Sequence, residues 1–286
     1  MANIGADIGA DIGANGAALM AARYGMPATA GELPPALAAL LDRRVTRRYK
    51  PDAVPEPLLE TLLAAAQSAP AKSDLQQYSV VVMRDAARIK RIADWIGTMD
   101  WICSAPVFLV WCGDMRRGQR LCELHDLPHA NNNLDCFLNT AVDCALAMGQ
   151  FIAAADAAGL GTCPISYVRS HIERVSPLLG LPEGVYPVAG LTLGWPEARR
   201  HISMRLPQSI VVHRERYDDS HLAENLAAYD DRRRTSEPLH PNGLKNLDIY
   251  GPKENTGWSE NCARQLSVPE RFGFAAYLKT RGFDLA

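Results

Sequence analysis

Four arginines near the start of the chain form the first pattern that could bind a ligand. They lie within six consecutive positions, as Arg43, Arg44, Arg47 and Arg48. Guanidinium groups donate paired hydrogen bonds to phosphate oxygens, so the cluster would suit a phosphate group. A solvated basic segment at the start of a helix would have the same composition. The cluster by itself leaves both alternatives open.

A second pattern carries soft metal donors. Cys122, His125 and His129 follow one another at short spacing, ten residues after Cys112. Zinc sites use such donors, but the sequence has no second pair that completes a closed set. The seven cysteines are odd in number and lack CxxC spacing, which indicates reduced thiols. We therefore expect no metal site and a cytoplasmic protein.

A glycine-rich repeat, GADIGADIGANG, runs from Gly5 to Gly16. A phosphate-binding loop of the dinucleotide or ATP type needs a preceding strand or a following lysine, and both are missing here. The repeat is also too small and flexible in composition to build a core. We expect residues 1–32 to be a disordered leader.

The overall charge excludes some partners. Thirty Lys and Arg against 32 Asp and Glu give a net charge of −2, so no general field attracts nucleic acid or an anionic membrane surface. The longest apolar stretch, residues 134–158, contains three aspartates, an asparagine and a glutamine, which argues against a membrane span. The sequence predicts a soluble protein with neither nucleic acid nor membrane as a partner.

The elements that must position the chemistry alternate between helices and strands from residue 33 onward. Helical spacing covers the residues from Pro57 to Ala66, 85–96, 134–158 and 170–179; strand patterns cover 78–83, 106–112 and 186–194. This order predicts one α/β domain over 33–217. Residues 115–133 suit either a long loop or a surface helix. The rest of the chain, 218–286, is expected to be an extended surface excursion followed by a docking helix over 266–282. Because helix 134–158 is apolar nearly all round, it is expected at a subunit interface.

Five segments in order carry a resemblance to a known family. They read RRVTRRY, APAKSDLQQY, AAADAAGLGTCPI, LPEGVYPVAGLTLGWP and RLPQSIVVHRERY, and they span about residues 40–217. The chain resembles the FMN-dependent nitroreductase family, most closely its NADPH-preferring oxygen-insensitive nitroreductase and flavin reductase branch. The resemblance implies an α+β fold with three α/β/α layers, whose mixed, mainly antiparallel sheet is flanked by helices. It also implies an intertwined homodimer with FMN at the interface.

The resemblance also assigns the cofactor-binding residues. The phosphate motif falls on Arg43, Arg44, Val45 and Arg47, with Val45 where the family has serine, and Arg205 adds a later phosphate contact. Residues beside the flavin ring, supplied by the neighbouring subunit, fall on Ala71, Lys72, Ser73, Asp74 and Gln76. One flavin face is covered by Pro164, Ile165 and Ser166. Tyr167 would contact the substrate, and Arg232, Arg233 and Arg234 would bind the 2′-phosphate of NADPH unless they form a solvated charged loop.

The implied reaction needs no catalytic side chain. NADPH or NADH would reduce FMN, and a nitroaromatic, a quinone or a related small-molecule acceptor would then occupy the same slot in a ping-pong, two-electron exchange. The region 230–257 would form a lid that selects the substrate. Fold alone leaves alternatives open: a flavin reductase, a reductive dehalogenase, a flavin-cleaving enzyme, or a non-enzymatic flavin- or metal-binding protein.

Overall fold

The computed structural model describes residues 16–286 and divides them into two compact units. One unit comprises the described part of 1–43 together with His201–Glu270, and the other comprises Arg44–Arg200 with Arg271–Ala286. The second unit is therefore built from two segments that are separated in the sequence by His201–Glu270. The sequence, in contrast, predicts two consecutive segments, 33–217 and 218–286. Most of the predicted glycine-rich leader lies outside the described residues.

The described chain contains twelve α-helices and four strands. The helices are α1 Gly16–Tyr24, α2 Pro35–Leu41, α3 Glu56–Gln67, α4 Ala86–Ile96, α5 Arg116–Leu124, α6 Leu134–Ala157, α7 Ile172–Leu179, α8 Gln208–Val211, α9 Leu222–Ser236, α10 Leu247–Tyr250, α11 Trp258–Leu266 and α12 Phe274–Thr280. The strands are β1 Tyr78–Met83, β2 Val107–Asp114, β3 Gly161–Ile165 and β4 Val185–Gly194. The three predicted strands are confirmed as β1, β2 and β4, while β3 is an addition to them.

The strands form one sheet in the order β1-β2-β4-β3, and each neighbouring pair is antiparallel. Within the described residues, a parallel pairing occurs at the isolated bridge between Val45 and Thr162. This arrangement confirms the α+β class and the mainly antiparallel sheet that the family resemblance implies. Because β3 lies at the edge of the sheet, it tolerates Pro164, which lacks a backbone donor.

Both faces of the sheet are covered within the second unit. All eight residues of β2 are buried, as a continuous apolar strand predicts. Val107, Leu109 and Trp111 pack with residues of α3 and α6, whereas Phe108 and Val110 pack with residues of α4 and α7 on the opposite face. Removing each large side chain from water contributes about 1.5–3 kcal/mol, so the central strand anchors the unit.

Helix α6 confirms the longest helical pattern in the sequence. Asn133 begins it, because the Asn133 side chain accepts the Cys136 N–H at 3.0 Å, as asparagine does at helix N-termini. Among residues 16–286, α6 alone is long and apolar enough by composition to cross a membrane. It packs against all four strands and α3, which is the environment of a core helix.

The surface excursion expected after residue 217 contains regular structure in the first unit. Helix α9 covers 222–236, and Asp230 is buried rather than solvated. The Asp230 carboxylate accepts the Ser259 N–H at 3.0 Å and a bond from the Ser259 hydroxyl, so it satisfies donors at the start of α11. This contact could not be predicted from the sequence, because Asp230 and Ser259 lie 29 positions apart.

Three further local predictions differ in part from the structure. Helix α1 occupies part of the predicted disordered leader, where an alanine-rich stretch from Gly16 to Tyr24 is helical. The helix predicted over 170–179 begins later, as α7: a 3₁₀ segment, Ser166–His171, precedes it, and no side chain caps its start. The final helix predicted over 266–282 is confirmed only as the shorter α12, Phe274–Thr280, since Pro269 disfavours a helix over the first part of that range.

Candidate functional site

The basic segment after Arg43 is fixed against the start of β3. The Thr46 N–H donates to the Thr162 carbonyl at 3.0 Å, and a Cβ at Gly161 would overlap the Thr46 side chain. The Tyr49 hydroxyl donates to the Thr46 carbonyl at 2.8 Å. Burial raises the pKa of Tyr49, so this hydroxyl stays protonated and the bond persists at any physiological pH.

The arginines of this segment differ in exposure. Arg47 and Arg48 are exposed, and Arg44 is half-buried, with a pKa that burial lowers from its ordinary value. The Arg47 guanidinium lies 6.0 Å from the centre of the Trp101 ring. Val45, at the position of the family's serine, carries no hydroxyl, and the neighbouring Thr46 side chain is buried against Gly161. Any phosphate contact here therefore depends on guanidinium and backbone groups.

The loop predicted to lie beside the flavin ring presents exposed polar side chains from Lys72, Ser73, Asp74 and Gln76, with Ala71 half-buried. Its backbone is held by a residue that sequence reasoning missed. The Asp143 carboxylate, 1% exposed, accepts the Lys72 N–H and the Gln77 N–H, each at 3.0 Å. The Lys72 ammonium also pairs with Asp135 at 3.6 Å, on the exposed side of the same helix.

Three non-glycine residues in this loop have left-handed backbone conformations. Ser73, Asp74 and Gln76 have φ values of 49°, 57° and 51°, and each such residue costs roughly 1–2 kcal/mol. The strain persists because both ends of the loop are held. The Asp143 carboxylate holds the loop through the Lys72 and Gln77 N–H groups. Arg117 donates to the Gln76 carbonyl at 2.5 Å and to the Tyr78 carbonyl at 3.0 Å. Strain of this kind is characteristic of ligand-binding loops.

The end of β3 contributes the remaining predicted flavin contacts. Pro164 and Ser166 are exposed, whereas the Ile165 side chain is buried in the sheet, so Ile165 can offer a ligand its backbone only. The Tyr167 ring is 38% exposed. Arg271, which sequence reasoning missed, lies with its guanidinium 5.9 Å from the centre of that ring and donates to the Ser170 hydroxyl at 3.1 Å.

In the first unit, one buried arginine joins the two segments that carry Arg43 and Arg205. The Arg23 guanidinium donates to the Arg43 carbonyl at 2.9 Å and to the Ser203 carbonyl at 2.9 Å. The Arg23 carbonyl in turn accepts the Arg205 N–H at 2.8 Å. Arg205 itself is exposed. Sequence reasoning missed Arg23, because a lone arginine in an alanine-rich stretch carries no distinctive pattern.

The arginine run in α9 has structural partners. Arg233 donates to the Tyr229 hydroxyl at 2.8 Å and pairs with Glu237 at 3.0 Å, and Arg234 pairs with Asp231 at 2.5 Å. Glu237 also accepts the Met204 N–H at 2.8 Å. The run is therefore part of a helix and not the solvated loop considered from the sequence. The Arg232 Nε atom is buried and has no hydrogen-bond partner within 16–286.

The cysteines and histidines do not assemble a metal centre in the described part of the chain, where no group of three or more metal-binding side chains occurs. All seven cysteines are free thiols. Burial raises the pKa of both Cys112 and Cys144, so these thiols stay protonated and unreactive.

Comparison with known proteins extends the resemblance to the end of the chain. The model of the nitroreductase family matches residues 40–99 and 97–195, and the model of the C-terminal domain of that family matches residues 203–286. The likeness predicted for about 40–217 therefore continues through the segment that was expected to be an excursion.

Individual proteins are similar over most of their length. The chain is 36% identical to the FMN reductase [NAD(P)H] of Bacillus subtilis over 79% of this chain and 88% of that protein. It is 30% identical to the oxygen-insensitive NADPH nitroreductase of Salmonella typhimurium over 87% of this chain and 98% of that protein. The solved structure of the hypothetical oxidoreductase YcnD from Bacillus subtilis superposes with a TM-score of 0.80 at 33% identity, covering 88% of this chain and 99% of that one. The chain belongs to the nitroreductase family.

Proposed function

We propose that this protein is an FMN-dependent oxidoreductase that uses NADPH or NADH to reduce nitroaromatics, quinones or related small acceptors. Family membership over residues 40–286 supports this, as do similar proteins that are named FMN reductase and NADPH nitroreductase. The observation that carries the proposal within the chain is the strained loop 73–76, held at both ends and presenting polar side chains to solvent.

The residues present fit the chemistry of FMN. The phosphate tail needs cationic donors, which Arg44 and Arg47 of the second unit can supply. The polar edge of the flavin ring needs hydrogen-bonding groups, and Gln76 is oriented for such a role, since its side-chain amide donates to Asp74 Oδ1 at 3.1 Å. The Asp74 carboxylate replaces the family's asparagine and here acts as an acceptor that orients Gln76.

When bound, FMN stores two electrons as a hydride equivalent, so the chain itself supplies binding and orientation. Tyr167 offers a partly exposed aromatic face on which a ring substrate can stack. Backbone N–H groups after Ile165 would stabilise negative charge at the flavin edge. Arg232 and Arg234 remain our proposed contacts for the 2′-phosphate of NADPH; Arg233 serves mainly to hold Glu237.

A second copy of the chain completes this proposal. Exposed apolar residues repeat every four positions along α6, as Leu134, Leu138, Val142 and Leu146. Such a stripe on a helix that otherwise packs on the sheet is typical of a subunit interface. We propose a three-layer α/β/α unit in an intertwined, cytoplasmic homodimer, with the loop 71–76 of one copy serving the flavin of the other.

The test is spectroscopic. The purified protein should be yellow, with about one FMN per chain, and anaerobic NADPH or NADH should bleach it. Reoxidation by nitroarenes, quinones and free FMN would then identify the acceptor class; a preference for free flavin would favour a flavin reductase. A colourless protein that takes up no FMN would overturn the proposal, and a yellow protein that neither nicotinamide bleaches would be a non-enzymatic flavin-binding protein.

A further inference from the structure

We infer that Arg23 is a positioning residue for Arg43 and Arg205, the two predicted phosphate contacts of the first unit. Arg23 lies in α1, before residue 40, where the match to the family model begins. The inference rests on the proposed function, since it concerns the same cofactor. It assigns a role to a helix that lies outside the residues the family models match.

The geometry joins two distant parts of the chain. The Arg23 guanidinium donates to the carbonyls of Leu41 and Arg43 at 2.7 and 2.9 Å, and to the Ser203 carbonyl at 2.9 Å. The main chain of Arg23 also accepts the Arg205 N–H at 2.8 Å. One residue therefore fixes both Arg43 and Arg205, which are the two predicted phosphate contacts of the first unit.

Arginine suits this role better than any other side chain. Its rigid fork of five donors can serve carbonyls from two segments at once, whereas a lysine ammonium is a compact point charge. Arg23 is only 9% exposed, so its bonds are shielded from water.

The segment of Arg205 is held from a second direction. Glu237 accepts the Met204 N–H at 2.8 Å, and Arg233 holds that carboxylate at 3.0 Å. The two arginines thus fix the neighbouring residues 203 and 204 from separate helices, α1 and α9. Arg205 follows these two residues directly, and its side chain is exposed. Its guanidinium donates to the Met204 carbonyl at 3.2 Å.

The experiment compares FMN with riboflavin, which lacks the phosphate. Dissociation constants of both flavins are measured by fluorescence titration for the wild type, Arg23→Met, Arg23→Lys and the control Arg88→Met. Arg88 is matched because its guanidinium also donates to a backbone carbonyl, that of Leu178 at 2.6 Å, in the other unit. We expect Arg23→Met to weaken FMN roughly tenfold and riboflavin less than about twofold. The Lys variant should lie between, and Arg88→Met should match the wild type for both flavins.

The outcomes separate the two proposals. A wild type that binds neither flavin would overturn the proposed function and this inference with it. If the wild type binds FMN but Arg23→Met retains its affinity, or loses FMN and riboflavin in equal proportion, Arg23 has no phosphate-specific role and the inference is wrong. Circular dichroism verifies that each variant folds. If Arg23→Met does not fold, the affinities for FMN and riboflavin are compared in Arg23→Lys instead, and the same criteria apply.

Discussion

The Asp143 carboxylate on α6 accepts the backbone N–H of Lys72 at 3.0 Å. Asp143→Asn should lower the free energy of unfolding by about 2–3 kcal/mol, because the amide turns a donor toward one of the two backbone donors that the carboxylate now satisfies. It should also weaken FMN, since the loop loses one anchor. Urea unfolding and flavin titration measure the two effects. The control is Asp135→Asn, on the same helix with its carboxylate exposed; an equal loss in both variants would contradict the role of Asp143.

Ser73 has a left-handed backbone conformation, with φ of 49°. Ser73→Gly should raise the stability of the flavin-free protein by up to about 1 kcal/mol, because relief of the left-handed strain exceeds the extra entropy of glycine in the unfolded chain. Ser68→Gly is the matched control, since Ser68 has φ of −77°; there the substitution should destabilise. Chemical denaturation distinguishes these signs, and destabilisation at both positions would show that the loop is not strained.

Arg47 is the exposed guanidinium that we expect to bind the FMN phosphate. Arg47→Ala should weaken FMN by about 1.5–3 kcal/mol, the range for a hydrogen bond to a charged group. Arg48→Ala removes the same charge one position later and should change flavin affinity much less. Flavin content after purification and titration of the stripped protein provide the measurement. Full FMN occupancy in Arg47→Ala would remove this residue from the site.

Leu138 lies in the exposed apolar stripe of α6 and is 54% exposed. Leu138→Arg should convert the expected dimer into monomers, because a buried, unpaired charge at a subunit interface costs several kcal/mol. Leu124, on α5, is even more exposed but lies outside the stripe, so Leu124→Arg should leave the assembly intact. Light scattering over a dilution series decides between them. A wild type that is monomeric at all concentrations would contradict the interface.

Asp230 and Asp231 are neighbours with opposite environments. Asp230 is buried and caps α11, so Asp230→Ala should cost about 1–3 kcal/mol of unfolding free energy. The exposed Asp231 makes a surface ion pair with Arg234, and Asp231→Ala should cost under about 1 kcal/mol. Thermal unfolding of the two variants is the measurement. Similar midpoints would mean that the cap contributes nothing to the first unit.

The elements that could be predicted are those whose signal is local. The apolar run of β2 and the long periodic stretch of α6 each contain enough residues to reveal their period, and both are confirmed. Strand β3 has five residues that include glycine and proline, so its identity depends on pairing with β4 and not on its composition. Helix α9 was not predicted because the run from Asp230 to Arg234 is charged throughout. Within that run Asp230 is buried, and its carboxylate accepts the N–H of the distant Ser259.

The candidate site divides in the same way. Two segments could be predicted as ligand-binding from their residue types. They are the basic segment at Arg43–Arg47, which could bind a phosphate, and the polar loop at 71–76, which could bind a flavin edge. The residues that hold these segments, Asp143 and Arg23, could not be predicted from the sequence. The farthest partner of Asp143 lies 71 positions away, and that of Arg23 lies 180 positions away. In the sequence, Asp143 appears only as a polar interruption of an apolar helix.

Helix α6 carries the apolar stripe on one side and Asp143 on another. Because a helix of 24 residues is stiff, any partner that immobilises the stripe also immobilises the carboxylate that anchors residues 72 and 77. For the proposed dimer and flavin site, cofactor occupancy and self-association would then be linked equilibria, each strengthening the other by the same factor. Under that proposal, extensive dilution would release the pigment, and added cofactor would draw separated chains back together.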